Sequence, residues 1–258
     1  MIAEELHNIW NELPSGVKLV AVSKFHPVQA ILEAYAEGQR RFGENRPQEF
    51  AAKAVQLPQD IEWHFIGHLQ TTKLKLVLPY ASLVESVDSL HLLEAIESWA
   101  AANDRIIRVL LEVHIGAEET KQGFTTSEVL ALLGTVGASA PSNLCHPRHH
   151  KWGDLVACEE VGSSGARRLS GAGCPNGPYA HITFCGLMGM ASHTDDEDRI
   201  REDFAGIKSL FDECRARFPQ LTEFTELSIG MSDDWRIALD YGATIVRIGT
   251  AIFGARFC

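Results

Sequence analysis

A surplus of basic residues is the first thing this chain lacks. Its 258 residues carry 23 lysines and arginines against 34 aspartates and glutamates, a formal net charge of -11. Binding along a phosphate backbone leaves a basic footprint, so nucleic acid is not the expected partner. No apolar run approaches the roughly 20 residues that span a bilayer. The opening Met1-Ile2-Ala3-Glu4-Glu5-Leu6 puts acids where a secretory leader has bases, which gives the expectation of a cytoplasmic protein. The six cysteines (Cys145, Cys158, Cys174, Cys185, Cys214, Cys258) are unevenly spread, with no CxxC pair, and do not read as a disulfide framework. The turn Ser23-Lys24-Phe25-His26-Pro27 after the first apolar run holds no GxGxxG, which argues against a dinucleotide-binding open sheet.

What is present is alternation. The residues are 45% hydrophobic, and strand-like runs alternate with helix-like ones. A helical 2–11 precedes the rest. Strands are expected at 17–23, 41–43, 62–66, 83–87, 106–115, 182–190, 226–229 and 244–248. Helices are expected at 27–36, 47–55, 71–77, 90–101, 127–133, 195–218 and 232–241. Alternating strands and helices imply a parallel sheet covered by helices. About eight such units in roughly 250 residues is the size of a TIM (β/α)8 barrel. The expected fold is α/β, a single barrel with an extra N-terminal helix, and 1–258 is read as one domain. Segment 134–180 breaks the pattern: it is rich in Gly, Ser, Pro, His and Arg, loses periodicity, and reads as an irregular insertion. Its Cys145-His146-Pro147-Arg148-His149-His150 is metal-capable, but the spacing matches no zinc pattern, so no metal site is expected.

Lys24 closes the first apolar strand. An amine beside an apolar floor has its charged form disfavoured and becomes a usable nucleophile toward a carbonyl. Barrels work at the C-terminal ends of their strands and often hold phosphate at the loops after the last two. There the chain has Ser228-Ile229-Gly230-Met231-Ser232-Asp233, with Ser232 as an expected helix N-cap, and Arg247-Ile248-Gly249-Thr250-Ala251. A lysine with a phosphate cradle suits a phosphorylated aldehyde. Both a sugar phosphate in a Schiff-base aldolase and pyridoxal 5'-phosphate (PLP) meet that description.

Ala21-Val22-Ser23-Lys24, Phe42-Gly43-Glu44-Asn45, Trp63-His64-Phe65-Ile66-Gly67-His68-Leu69-Gln70, Gly186-Leu187-Met188-Gly189-Met190, Ser228-Ile229-Gly230-Met231-Ser232-Asp233 and Arg247-Ile248-Gly249-Thr250-Ala251-Ile252-Phe253-Gly254 resemble the YggS/PROSC-type pyridoxal phosphate homeostasis proteins. The resemblance covers nearly the whole chain outside 134–180. It implies a type III PLP-binding barrel like the N-terminal domain of alanine racemase, and a role in buffering and delivering PLP without established turnover. By the same resemblance Lys24 forms the internal aldimine. Ser232 and the backbone of Met231, Gly249 and Thr250 hold the phosphate, Arg247 lies against the pyridine nitrogen, and Asn45 with His64 to Gln70 lines the surroundings. His64 and His68 are read as filling or capping the barrel mouth. Thr72 departs from the family's usual Asn after Leu-Gln-Thr, and Arg46-Pro47 from its usual pair after Asn45.

The resemblance assigns no catalytic residue. The chain ends soon after the eighth strand, without a racemase's β-domain, and none of Tyr35, Tyr80, Tyr179 and Tyr241 is obviously placed as a second base. A PLP enzyme such as a weak racemase is the alternative, and a PLP-free aldolase the third reading. Expected partners are PLP and PLP-dependent apo-enzymes as recipients, with the chain a monomer.

Overall fold

The computed structural model describes residues 2–115, 123–137 and 178–254. Eight parallel strands close on themselves in chain order: β1 (Lys18–Val22), β2 (Arg41–Glu44), β3 (Glu62–Phe65), β4 (Ala81–Val87), β5 (Ile107–Glu112), β6 (Ile182–Met188), β7 (Glu226–Ser228) and β8 (Ile245–Ile248). Closure comes from β1 lying beside β8, with Val20 opposite Arg247. The covering helices are α2 (Val28–Ala36), α3 (Pro47–Ala54), α4 (Leu74–Val77, entered by a 3-10 turn at Thr71–Lys73), α5 (Leu90–Ala102), α6 (Thr126–Gly137), α7 (Glu197–Arg217), α8 (Trp235–Asp240) and α9 (Thr250–Phe253). Helix α1 (Ile2–Glu12) precedes β1 and packs on α2 and α9.

The expected (β/α)8 barrel with its extra N-terminal helix is therefore what forms. The short α9 was not expected, and the expected fifth strand ends earlier, at Glu112. Helix α6 runs on to Gly137, so 134–137, expected to open the irregular insertion, are helical. At the other end of that segment Tyr179 is 2% exposed and packs edge-on to Phe184. The remainder of the expected insertion, with Cys145, Cys158, Cys174 and the His-rich run, lies outside the described residues, as does Cys258. No helix among the described residues is long and apolar enough to cross a membrane.

Side chains alternate across each strand. Leu19, Ala21, Phe42, Trp63, Phe65, Val84, Val109, Leu111, Leu227, Val246 and Ile248 belong to the large core between strands and helices. A second, smaller cluster inside the barrel joins Val20, Leu83, Leu110, Cys185, Met188 and Ile245. Gly186 keeps both sets in phase. It has φ +151, and a Cβ there would stand 1.7 Å from the Glu226 carbonyl oxygen, so glycine carries the irregularity that returns Met188 to the interior.

Candidate functional site

The inward parity of each strand selects what reaches the C-terminal mouth. Val20 and Val22 of β1 lead toward Lys24 beyond its end. A Cβ on Gly43 would meet Val20 and Ile66, so Gly43 faces inward and Asn45 follows it. Leu83 leads to Glu85, Leu110 to Glu112, and Ile245 to Arg247 and Gly249. Distant sequence positions thus meet at one end of the barrel because every strand runs the same way.

Lys24 stands two residues past the end of β1, in a turn, because the strand expected to run to Ser23 stops at Val22. The turn is closed by His26 N–H to Ser23 O at 3.1 Å, and Phe25 takes φ 67, a left-handed conformation rare for an aromatic residue. Lys24 is half-buried. The turn rests on the last helix through the His26 ring, stacked on Phe253 at 5.0 Å.

Loops after β7 and β8 meet beside it. Gly249 N–H donates to Ser232 Oγ at 3.3 Å. A Cβ on Gly249 would lie 3.0 Å from the Val22 carbonyl oxygen, and Gly230, at φ +91, would press one against Ala238 and Trp235. Both glycines let the two loops pass close over the strand ends. Ser232 does not cap a helix: α8 starts at Trp235, and Ser232 lies in the preceding turn. The competitor is Asp234, whose Oδ1 accepts the Met231 N–H and ties the turn before the helix begins. Burial raises the Asp234 carboxyl above its ordinary value, while the Met231 N–H and the Arg247 charge oppose it. Thr250 is exposed at the start of α9.

Below the mouth runs a buried polar chain. His64 Nδ1 meets Glu85 Oε1 at 2.5 Å, Ser228 Oγ donates to Glu85 Oε2 at 2.6 Å, and Arg247 Nη1 donates to Ser228 Oγ and, at 2.8 Å, to its carbonyl oxygen. Arg247 Nη2 donates to Gly189 O at 2.9 Å, and Nη1 stands 3.7 Å from Glu85 Oε2. Among the described residues Arg247 Nε has no hydrogen-bond partner. Burial pushes the Glu85 carboxyl up, but the hydrogen bond and charge of His64, with Arg247 and Ser228, outweigh it and hold Glu85 below its ordinary value. His64 thus fills the interior. His68 is exposed and pairs with Asp88 Oδ2 at 3.0 Å. Nearby, burial and the charge of Asp88 push Glu112 up to about 7.

Of the residues expected at the site, the fold brings Lys24, Asn45, Met231, Ser232, Arg247, Gly249 and Thr250 to one end of the barrel. Sequence reasoning missed Glu85 and Ser228, and the cluster Glu44, Glu49 and Lys53 beneath Lys24. A signal existed for Glu85, a carboxylate within the apolar Leu83-Val84-Glu85-Ser86-Val87 of a strand buried on both faces. Tyr35 lies on α2 and bonds Asp60, while Tyr80, Tyr179 and Tyr241 sit in the segments that enter β4, β6 and β8, Tyr179 packing on Phe184 and Tyr241 on Phe204.

Two features test the site for a ligand. Asn45 Oδ1 is buried without a hydrogen-bond partner, and an unpaired buried amide oxygen is costly unless something else completes it. The cradle made by Gly249 and Ser232 offers N–H and hydroxyl groups where a Cβ would obstruct. Lysine amine, amide, hydroxyl, backbone N–H and a buried guanidinium together suit an aldehyde carrying a phosphate and an aromatic nitrogen.

Comparison with known proteins agrees. The family model for alanine racemase, N-terminal domain, matches residues 1–146. The chain is 34% identical to the pyridoxal phosphate homeostasis protein of Vibrio alginolyticus, over 94% of this chain and 88% of that one. It is 32% identical to the human protein of the same name, over 93% and 76% respectively. Among solved structures it is similar to PipY of Synechococcus elongatus PCC7942 with PLP bound, at a TM-score of 0.77 and 32% identity, covering 98% of this chain and 100% of that one. The alanine racemase of E. faecalis, at 16% identity and a TM-score of 0.66, shares the fold; this chain covers 57% of it.

Proposed function

Since the chain belongs to the pyridoxal phosphate homeostasis protein family and carries its alanine racemase N-terminal domain, we propose that it binds PLP through Lys24 and takes part in PLP homeostasis. The observation that carries the site assignment is the junction of Ser232 Oγ with Gly249 N–H, beside the turn that bears Lys24. The residues present fit the cofactor. Lys24 supplies the amine, and Ser232, Gly249 and Thr250 a phosphate cradle. Met231 N–H joins it once released from Asp234, whose negative form would otherwise repel the phosphate. Asn45 has an unsatisfied amide oxygen to complete, and with Nη1 donating twice and Nη2 once, Arg247 keeps its Nε hydrogen and one Nη2 hydrogen for a ring nitrogen.

When bound, PLP supplies an aldehyde and an electron-withdrawing ring. The surrounding groups restrain that chemistry. Arginine stays charged and only donates, so Arg247 favours a ring nitrogen without a proton. Glu85 and Ser228 hold the guanidinium in place. This weakens the ring as an electron sink, and the tyrosines lie on α2 or before the N-terminal ends of β4, β6 and β8, away from the mouth. We therefore read the protein as retaining and releasing PLP rather than turning over a substrate, with 1–258 one cofactor-binding unit, PLP-dependent apo-enzymes as recipients, a monomeric state and a cytoplasmic location.

Adding PLP to the purified protein is expected to give the visible absorption of lysine-attached cofactor, and Lys24→Ala to abolish it. A wild-type protein that never acquires it overturns the reading. Incubating the loaded protein with L-alanine in deuterated water is expected to leave the α-carbon unlabelled; label entering at a catalytic rate would turn the reading to a racemase.

A further inference from the structure

The turn that carries Lys24 is held from below by a cluster that the cofactor assignment does not use. Lys53, on α3, is 5% exposed and directs its ammonium at three acceptors: Ser23 O at 2.8 Å, Glu44 Oε1 at 2.7 Å and Glu49 Oε1 at 2.7 Å. Those acceptors bracket Lys24. Ser23 precedes it, and the Ser23 hydroxyl donates to the same Glu44 oxygen at 2.7 Å. Phe25 follows it, and the Phe25 N–H donates to Glu49 Oε1 at 2.8 Å. One ammonium and two carboxylates thus grip the peptide groups on both sides of Lys24, while Arg46 lies over the Phe25 ring at 4.4 Å.

A plain stability role does not account for this arrangement. Taking a lysine and a glutamate out of water costs several kcal/mol per ion, and a well-packed apolar cluster of the same shape is often as stable. Burial holds the Glu44 carboxyl above its ordinary value despite Lys53, and its Oε2 is buried without a partner. Phe25 is kept at φ 67, a left-handed conformation that is unfavourable for a non-glycine residue. Buried charge and backbone strain coincide at the one turn from which Lys24 must reach an aldehyde carbon. Such reactions are sensitive to placement, and a misplacement of about 1 Å can cost roughly 100-fold.

The geometry points to Lys53, Glu44 and Glu49 as positioning residues that hold the Lys24 turn in the one conformation from which its amine attacks the PLP aldehyde. This rests on the proposed function. In the step they serve, the neutral Lys24 amine bonds the aldehyde carbon, a carbon–nitrogen double bond replaces the carbon–oxygen one, and both amine hydrogens leave with the aldehyde oxygen as water. The cluster acts through the backbone of Ser23 and Phe25.

Two quantities separate positioning from simple stabilisation: the rate at which PLP becomes attached, read from its visible absorption, and the affinity for pyridoxamine 5'-phosphate, which offers ring and phosphate but no aldehyde. Glu49→Ala releases the Phe25 N–H from a partly exposed helix position. It is expected to slow attachment about ten- to a hundredfold and to leave pyridoxamine 5'-phosphate affinity unchanged. Glu49→Gln keeps an acceptor oxygen and is expected to restore most of the rate. Phe25→Gly, which touches no charge in the cluster and relaxes the left-handed strain, is expected to slow attachment in the same selective way. Attachment at the wild-type rate in Glu49→Ala and Phe25→Gly overturns the inference, as does a parallel loss of both quantities or a Gln variant as slow as the Ala variant. A wild-type protein that attaches no PLP would instead overturn the functional reading on which the inference rests.

Discussion

Gly249 N–H donates to Ser232 Oγ at 3.3 Å, joining loops 17 residues apart at the ends of β7 and β8. Neither residue is part of a long helix, and neither loop alone makes a cradle. If this junction receives the phosphate, Ser232→Ala removes a hydroxyl from a charged ligand, a contact worth about 1.5–3 kcal/mol. The expected result is PLP affinity lowered by about ten- to a hundredfold, with pyridoxal, which has no phosphate, binding as before. Equilibrium titration of both ligands checks it; equal losses for the two would remove Ser232 from the phosphate site.

Arg247 and Glu85 form the second coupled pair, 3.7 Å apart and bridged by Ser228. Removing one charge leaves the other buried and uncompensated, which costs about 3–5 kcal/mol. Arg247→Gln and Glu85→Gln are each expected to destabilise strongly. The double variant should recover part of the loss, giving a coupling of about 1–3 kcal/mol in a double-mutant cycle by denaturant unfolding. Additive effects would mean that the two side chains do not share one network. Arg247→Gln is preferred to a glutamate there, because a second carboxylate would face Glu85 and Asp234.

Glu112 gives a pH-dependent prediction with a definite sign. Burial, and next the charge of Asp88, raise it to about 7 from an ordinary 4.5. Between these values the folded chain keeps a proton that the unfolded chain releases, so its contribution favours folding at low pH and is lost as pH rises through about 7. Glu112→Gln imitates the protonated acid. Its melting temperature should match wild type near pH 5 and exceed it at pH 8; about 1 kcal/mol corresponds to about 2–4 °C in a chain this size. An identical difference at both pH values would refute the shift.

The alternation of apolar strands with amphipathic helices was enough to determine the barrel, because parallel strands buried on both faces can be covered only by helices. Lys24, Ser232 and Arg247 were legible because their neighbours form short motifs at strand ends, where a barrel works. Boundaries set by local competition were not. Ser232 has a capping side chain, yet Asp234 takes the Met231 N–H and delays α8 to Trp235. Lys24 follows an apolar run, yet the strand stops at Val22 and a left-handed Phe25 turns the chain.

The sequence by itself determined the element order, the direction of every strand and so the end of the barrel at which the reactive side chains gather. These follow from patterns read over a few residues. Only the tertiary structure decided which charges pair: Arg247 with Ser228 and Glu85, and Lys53 with Glu44 and the peptide before Lys24. Such partners lie up to 162 residues apart (247 − 85). Their choice depends on strand register and on the cost of leaving any one of them buried alone, neither of which local composition records.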